Sequence, residues 1–425
     1  MAVQMFLLML LFIEVSLSQA SLLRIDCGSQ TGYEAKDGSY WSTDDEFVKV
    51  GNDMPISAGS FSKWTQLNTL RVFTKEKKVC YKLPAQPSVR YMSRATFYYG
   101  NYDGLSKPPT FDLEFDENNR KTVVTSNTDP QIYELIYTSG ADDIKVCLIR
   151  TSDAQFPFIN ALELWPLDDN MYDGMTRDMA WLSNYRYDYG AVADTVDDWI
   201  LGYPTDSANR IWVPTTPSDL NQTKASATYF YDNGDNNVPN VVMSQMVEAP
   251  NLTYPISLSF SINDGINLVH YVTAYFTETH SLNENESRSF EFNANNKFVS
   301  TMNPRYEYCT SVWAFVQSNG TLNVQLRASG NSTLPPLISA IEVYTGQAVH
   351  YPKTSKWKEV GGGGGGVLFL ILIGCGYYLC SKSRNDGRPN GGGPNNGVIE
   401  EAPPRRRFWW RRTRYVEEEV VEAHA

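Results

Sequence analysis

One loop, YYGNYDG at 98–104, combines side chains that suit recognition of a sugar ring. Tyr98, Tyr99 and Tyr102 offer flat faces for the C–H surface of a pyranose. Asp103 offers a carboxylate for hydroxyl groups, and the two glycines allow the backbone to bend around a ligand. We therefore predict a ligand site at these four residues. The alternative is that the tyrosines are core residues of a strand and that YDG is only its turn.

No pattern in the sequence assembles a nucleophile with a base. The motif GxSxG is absent, and His270 and His280 have no partner residues at catalytic spacing. The carboxylates Asp112, Glu114 and Asp116 alternate along TFDLEFD, so they share one face of a strand and favour a solvated surface over a glycosidase pair. Cysteines and histidines do not cluster at zinc-ligand spacing. We expect no enzyme, no cofactor and no metal.

Two nine-residue runs carry the same pattern, PFINALELW at 157–165 and PLISAIEVY at 336–344. Both are typical of a buried β-strand, and Glu163 and Glu342 occupy the same position in them. A glutamate repeated in two units whose loops differ indicates a shared scaffold role, such as bonding a backbone group or a basic side chain. Other segments recur at the same offset, which indicates two similar units in tandem.

The elements that must position these residues are strands. Short apolar runs such as KVCYKL, TFDLEF and ISLSFSI are separated by turn formers such as YDG, DENN and SNG. Convincing amphipathic helices are absent. The sequence therefore predicts an all-β chain with two tandem β-sandwich or jelly-roll domains, at 21–170 and 171–350.

Both ends of the chain carry membrane-related signals. Residues 1–20 combine a short apolar run with the small-residue site Ser18-Gln19-Ala20, which predicts a cleaved signal peptide. Residues 361–380 reach the roughly 20 residues that a membrane helix needs. We predict a linker at 351–360, a single transmembrane helix at 361–380 and a disordered cytoplasmic tail at 381–425. The signal peptide places the N-terminal side outside the cell.

Secretion permits glycans and disulfides. All N-x-S/T sequons fall in the second half of the chain, which would leave the first half the barer surface. The candidate glycosylation sites are Asn221, Asn251, Asn285, Asn319 and Asn331. The disulfide candidates are Cys27, Cys80, Cys147 and Cys309. Four cysteines allow three full pairings, and the sequence leaves the choice open.

The charge of the chain excludes one class of partner. Its 425 residues carry a formal net charge of −12. A general nucleic-acid binder needs a basic face. We therefore expect no nucleic-acid partner.

Several motifs together resemble a known family. IDCGS (25–29), RATFYYGNYDG (94–104), KPPTFDLEF (107–115), PFINALELWPL (157–167) and STLPPLISAIEVY (332–344) are similar to the malectin-like ectodomain of plant receptor-like kinases, in particular the leucine-rich-repeat branch. The resemblance implies two tandem malectin-like sandwiches at the plasma membrane. It implies cell-wall carbohydrate or a secreted peptide as the ligand. It also implies that loop aromatics near the YYGNYDG strand line a sugar pocket.

The sequence departs from that family at its C-terminal side. It contains no LxxLxLxxN repeat and no HRD, DFG or VAIK kinase motif. We expect a single-pass receptor-like protein that signals only through a partner, such as a membrane receptor kinase. The alternatives are a co-receptor module that binds protein or peptide and no sugar, and a truncated product of a receptor-kinase gene.

Overall fold

The computed structural model describes residues 22–349, except 61, 63, 118, 192–201, 232–235 and 263–267. The predicted signal peptide, linker, transmembrane helix and tail lie outside the described residues and stay predictions. Within the described residues, no helix has the length and apolar character required to cross a membrane.

The described part of the chain is almost entirely β-structure, as the sequence predicted. The strands of the first half are β1 (Leu23–Asp26), β2 (Tyr33–Glu34), β3 (Tyr40–Thr43), β4 (Asn52–Pro55), β5 (Thr69–Val72), β6 (Lys78–Pro84), β7 (Arg90–Phe97), β8 (Thr110–Phe115), β9 (Asn119–Val124), β10 (Gln131–Thr138), β11 (Asp143–Ile149), β12 (Phe158–Ile159) and β13 (Ala161–Pro166).

The second half contains the remaining strands and one short α-helix. They are β14 (Met179–Tyr189), β15 (Val213–Thr215), β16 (Asn221–Lys224), α1 (Asn240–Ser244), β17 (Gln245–Glu248), β18 (Ile256–Ser261), β19 (Leu268–Phe276), β20 (Phe290–Ala294), β21 (Lys297–Met302), β22 (Thr310–Ser318), β23 (Thr321–Ala328), β24 (Leu337–Ile338) and β25 (Ala340–Ala348). Short 3-10 turns lie at Ala58–Ser60 and Thr65–Leu67.

Each half packs a four-stranded sheet against part of one large sheet. In the first half, the sheet β6-β11-β8-β9 shares a core with β13, β7 and β10. Edge-to-face rings fill that core, with the Phe97 and Phe111 centroids 5.4 Å apart and the Phe111 and Phe158 centroids 5.7 Å apart. In the second half, the sheet β18-β23-β20-β21 packs on β25 and β19. Alternating strands such as β18 bury every second residue, as a sheet with one solvated face requires.

The large sheet runs without a break through both halves, in the order β2-β3-β1-β13-β7-β10-β14-β25-β19-β22. The halves meet where β10 pairs with β14, through Leu135 with Leu182 and Ile136 with Trp181. On the face of this sheet away from the first core, Met92, Ile136 and Trp181 join a further buried cluster. The predicted boundary between residues 170 and 171 stays a prediction.

The repeated run at 157–165 is not one strand but two, and the same is true at 336–344. Each copy breaks at its fourth residue, Asn160 or Ser339, and moves from one sheet to another: β12 pairs with β5, whereas β13 pairs with β7. Successive residues of one continuous strand point to opposite faces, but at this break the alternation fails, and Ile159 lies in the same core as Phe158 and Leu162.

One of the candidate disulfides is present. Cys80 of β6 lies opposite Cys147 of β11, and the two form a disulfide. The expectation that Cys27 and Cys309 also join a bridge is wrong for this structure. Both are buried as thiols, and they lie in different clusters, one in each half.

Candidate functional site

The structure brings the four residues of the YYGNYDG loop together, but it turns their rings inward. Tyr99 is fully buried, and its hydroxyl donates to the Asp103 carboxylate. Tyr102 packs edge-on against Tyr99, with centroids 5.5 Å apart, and also contacts Phe158. Tyr98 is half-buried. Of the predicted ligand residues, Asp103 is the exposed one.

This loop is thus held closed by its own side chains. The Asp103 carboxylate also accepts the Leu105 backbone N–H at 3.0 Å, and the Tyr99 hydroxyl accepts the Lys107 N–H at 3.2 Å. These bonds are those of a well-formed turn over a core, which is the alternative interpretation of the motif. The ligand role of Tyr98, Tyr99, Tyr102 and Asp103 stays a prediction.

In the second half, the stretch at the end of β19 holds the position that the YYGNYDG loop holds after β7, and most of it is also part of the interior. Tyr275 and Phe276 are fully buried, and the Glu278 carboxylate is buried against Arg288 at 2.8 Å. His280 is exposed and lies 3.2 Å from Glu286. This stretch offers no open aromatic surface.

A pocket of about 310 Å³ lies elsewhere, over the outer face of β1, β13 and β7. We name it the Arg24 pocket. Its aromatic and charged lining residues are Arg24, Lys36, Asp37, Trp41, Trp64, Arg94, Glu163 and Tyr203. The loop that follows β2 and the chain around Tyr203 form its sides. None of these lining residues was among the ligand contacts predicted from the sequence.

A row of alternating charges crosses the floor of this pocket. Arg24 of β1 faces Glu163 of β13, Glu163 faces Arg94 of β7, and Arg94 faces Glu134 of β10. Residues directly opposite each other on neighbouring strands have side chains within contact distance, and opposite charges there are favourable. The sheet register therefore sets positive, negative, positive and negative groups side by side.

The inner part of the row is a buried ion-pair network. Arg94 lies 2.8 Å from Glu134 and 3.2 Å from Glu163, and all three side chains are buried. Burial alone would raise the pKa of Glu134, but the Arg186 and Arg94 guanidiniums lower it to about 2. Glu134 is therefore ionised in the folded protein at any physiological pH.

The network continues into the second half. Arg186 lies 2.5 Å from Glu134 and 2.7 Å from Glu342, so it links carboxylates of both halves. Glu342 also accepts the Tyr172 hydroxyl at 2.9 Å and the Tyr275 hydroxyl at 2.8 Å. Burial acts to raise the pKa of Glu342, and Arg186 and Arg210 hold it below the usual value.

These contacts show the structural role of the repeated glutamates, Glu163 and Glu342. Glu163 contacts Arg94 and accepts the Asn209 side-chain amide at 2.6 Å, whereas Glu342 contacts Arg186. Both carboxylates are committed to buried partners. The prediction that the repeated glutamate bonds a basic side chain as part of the scaffold is confirmed.

Arg24 is the outermost member of the row on the first half's side, and it lines the pocket together with Glu163 and Arg94. Its guanidinium lies 4.4 Å from the Trp165 ring centroid and 4.8 Å from the Tyr203 centroid, an arrangement typical of cation–π contacts. Burial lowers the pKa of Arg24, although Glu163 and Asp37 act in the opposite direction. No described residue accepts a hydrogen bond from this guanidinium. Two aromatic rings thus hold a planar donor group whose N–H groups meet no acceptor in the part of the chain that the structure describes.

The remaining lining completes a site that suits a polar ligand with a flat face. Trp41, Trp64 and Tyr203 supply ring surface, and Lys36, Asp37 and Gln66 supply charged and amide groups. Such a mixture binds sugars or peptide side chains. Within the described residues, no group of three or more His, Cys, Asp or Glu side chains is placed to hold a metal ion.

The five predicted glycosylation asparagines all lie at exposed positions. At Asn251 the side-chain oxygen accepts the Thr253 N–H at 3.0 Å and the Thr253 hydroxyl at 2.8 Å, so this sequon forms a tight turn on the surface. Exposure is compatible with glycosylation, which stays a prediction at each site.

The all-β fold agrees with the family comparison. Residues 25–346 match the Malectin-like domain family, and the chain belongs to that family. The uncharacterized protein At1g24485 of Arabidopsis thaliana is 30% identical over 344 residues, which cover 79% of this chain and 66% of that protein.

Other relatives are receptor kinases. The probable LRR receptor-like serine/threonine-protein kinase At1g05700 of Arabidopsis thaliana is 30% identical over 349 residues, which cover 80% of this chain and 40% of the kinase. The chain therefore spans about two fifths of the length of this kinase relative.

Solved structures share the fold at low sequence identity. The plant receptor-like kinase FER is 17% identical, with a TM-score of 0.64 over 77% of this chain and 96% of that one. The ANX2 ectodomain from Arabidopsis thaliana is 17% identical, with a TM-score of 0.63 over 77% and 97%. A structure of the plant peptide RALF23 in complex with FER and LLG2 matches at 19% identity, with a TM-score of 0.62 over 77% and 95%.

Proposed function

We propose that this chain is the ectodomain-bearing part of a single-pass receptor-like protein of the plasma membrane, which binds an extracellular ligand in the Arg24 pocket. Two tandem malectin-like sandwiches, at 21–170 and 171–350, carry the site, and the segment 361–380 anchors it. The observation that carries the proposal is the Arg24 guanidinium, which two aromatic rings hold in a pocket and which has no hydrogen-bond acceptor among the described residues.

The ligand class follows from the lining. Aromatic faces beside charged and amide groups suit a cell-wall carbohydrate, whose hydroxyls need several donors and acceptors. A secreted peptide is the second candidate. The complex of RALF23 with FER and LLG2, which shares this fold, supports it. In either case the signal passes through a partner, such as a membrane receptor kinase.

Binding by the full-length chain in lipid nanodiscs tests the site. We expect cell-wall oligosaccharides to bind in calorimetric titration and Arg24→Ala to weaken binding about tenfold or more, because a charged donor contributes about 1.5–3 kcal/mol. The matched control is Arg150→Ala, a half-exposed arginine of the first half that lies outside the pocket. Equal losses for the two variants, or no loss for Arg24→Ala, would contradict the site.

A second pair of variants separates the two candidate sites. Asp103→Asn changes the exposed one of the four candidate residues in the YYGNYDG loop, and Tyr203→Ala changes a ring of the Arg24 pocket. The proposal expects a loss of binding only for Tyr203→Ala. A loss only for Asp103→Asn would move the site to the loop. A peptide library screened on the same nanodiscs distinguishes the peptide ligand from the carbohydrate.

A further inference from the structure

The last strand of the large sheet has an unusual edge. β22 covers Thr310–Ser318, and among the described residues it pairs only with β19. Its nine residues, TSVWAFVQS, contain neither a charged residue nor a proline. Natural sheets usually protect a long edge with lysine, proline, a bulge or a covering segment, because a bare edge pairs with other chains.

The other sheet edges of this chain follow the usual rule. The outermost strands β6, β9, β16 and β21 each contain a lysine, and β4 contains Asp53 and Pro55. The strands β2, β12 and β24 are two residues long. β18 also lacks charge, but it is shorter, and the side chains that it exposes are serines. Among the described edges, β22 alone combines length, lack of charge and exposed aromatic rings.

The exposed rings of β22 extend an aromatic row across the sheet. Trp313 is 44% exposed and Phe315 is 37% exposed. Trp313 stacks on Tyr271 of β19 with an interplanar angle of 27°, and Phe315 stacks on Trp181 of β14 with an angle of 25°. These contacts fix both rings in place, so a partner that covers them does not have to order them.

The backbone of the same residues is directed toward the edge. The Gln317 carbonyl accepts the Asn295 side-chain amide at 2.9 Å, so this carbonyl is used outside the ladder with β19. The backbone N–H and C=O groups of successive residues in a strand point toward opposite edges of that strand. The backbone groups of Phe315 and Trp313 therefore share the direction of Gln317, and no described residue pairs with them on that side.

We propose that the edge of β22 pairs with β22 of a second copy of this chain, in an antiparallel arrangement centred on Ala314. Two identical strands placed antiparallel are always self-complementary, and the contact closes on a two-fold axis. In this register Trp313 of each copy lies opposite Phe315 of the other, and Ser311 lies opposite Gln317. Aromatic pairs of this kind stabilise a sheet.

The uncharged sequence of β22 favours a second copy of the same strand as its partner. The chain carries a formal net charge of −12, and this net charge opposes the approach of two copies. At β22 no charged residue faces its equivalent. The self-pairing also matches ring with ring and polar side chain with polar side chain. Both properties come from the sequence of the edge itself and do not depend on the ligand of the Arg24 pocket.

The test uses the full-length chain with two different tags, co-expressed in a membrane, and measures dimers by co-precipitation and by photobleaching steps of single molecules. The first variant is the double substitution Ser311→Lys with Gln317→Lys. It places lysine opposite lysine at both ends of the contact, and we expect the dimer fraction to fall about tenfold. Gln317 is exposed and Ser311 is partly exposed, so we expect both lysines to be accommodated in the folded chain.

The second variant, Ser311→Lys with Gln317→Glu, places lysine opposite glutamate and is expected to restore the dimer. This rescue depends on the register and cannot arise from a general loss of folding. A matched control, Thr122→Lys with Val124→Lys, introduces two lysines on the exposed side of the edge strand β9 and should leave the dimer unchanged. A monomeric wild-type chain, or equal effects of the two β22 variants, overturns the proposal.

Discussion

At the scale of single residues, the clearest feature is the row of alternating charges that crosses the sheet. Glu163 and Glu342 are not reactive groups, because buried guanidiniums and hydrogen-bond donors occupy their oxygens. A buried ion pair does not by itself make a protein more stable, since desolvation of both groups opposes the attraction. Removal of one partner is different, because the other charge is then left buried without compensation.

The substitution Glu342→Gln tests this point. It leaves Arg186 and Arg210 with less negative charge around them, and we expect the free energy of unfolding to fall by about 3–5 kcal/mol. The control Glu117→Gln removes an exposed partner of Lys145 at 3.2 Å and should change stability by less than about 1 kcal/mol. Denaturant unfolding followed by tryptophan fluorescence measures both. Equal losses of unfolding free energy in the two variants would mean that the buried network around Glu342 contributes no more stability than an exposed ion pair.

The pKa of Glu134 makes a prediction about acid stability. Its folded-state pKa of about 2 lies below that of an ordinary glutamate. The stability that Glu134 contributes is therefore complete above the unfolded-state pKa of about 4.3 and is lost as the pH falls toward 2. We expect the melting temperature of the wild type to fall more steeply between these values than that of Glu134→Gln. Parallel curves for the two proteins would contradict the prediction.

The sequence predicted part of this residue-level picture. It marked Glu163 and Glu342 through the repeat, and it assigned them a scaffold role. It could not mark Arg24 as a candidate ligand residue, because the rings that hold its guanidinium, Trp165 and Tyr203, are more than a hundred positions away in the chain. Conversely, the tyrosines of YYGNYDG have suitable chemistry for a ligand, but three-dimensional packing commits the Tyr99 ring to the core.

At the scale of elements, the sequence predicted strands reliably and their breaks poorly. The run at 157–165 is mostly apolar and has the composition of one buried strand, so the change of sheet within it was not predicted. The signal was Asn160, a polar residue in the middle of a buried run. Its side chain accepts the Tyr98 N–H at 2.6 Å and donates to the Thr69 carbonyl at 2.8 Å, which satisfies backbone groups of two neighbouring segments at the crossing.

The repeat provides a matched pair of variants for this crossing. Asn160→Ala leaves the Tyr98 N–H and the Thr69 carbonyl without their partner, and a buried group left unsatisfied costs about 1–3 kcal/mol. We expect a clear loss of stability. Ser339 occupies the equivalent position, and its buried hydroxyl has no hydrogen-bond partner among the described residues, so Ser339→Ala should be nearly neutral. Thermal unfolding of the two variants measures the difference, and similar losses would show that the break itself, not the amide, sets the stability.

At the scale of the whole molecule, the sequence predicted two similar units but not their union in one sheet. A repeat shows that two parts fold alike, and it contains no information on which of their strands pair with each other. The pairing of β10 with β14 joins strands that are separated by the whole of β11 to β13, and the salt bridge between Glu134 and Arg186 reinforces the same junction. Buried cluster residues from both halves, such as Trp165 and Tyr344, cover one face of the sheet there.

This union predicts that the halves lose structure together. The disulfide between Cys80 and Cys147 lies entirely within the first half and closes a segment of 67 residues, so its removal should cost about 4 kcal/mol. If the halves formed independent units, this loss would reach only the first half. Because they share a sheet and a buried network, the double variant Cys80→Ser with Cys147→Ser should also weaken the second half.

Hydrogen exchange resolves the two cases. In the double variant we expect faster exchange of amides in β11, beside the missing bridge, and a similar change in β23, in the far sheet of the second half. Reduction of the wild-type disulfide without substitution is the control and should reproduce both changes. Unchanged protection of β23 together with lost protection of β11 would show that the continuous sheet transmits no stability from one half to the other, and that the two repeats fold as separate units.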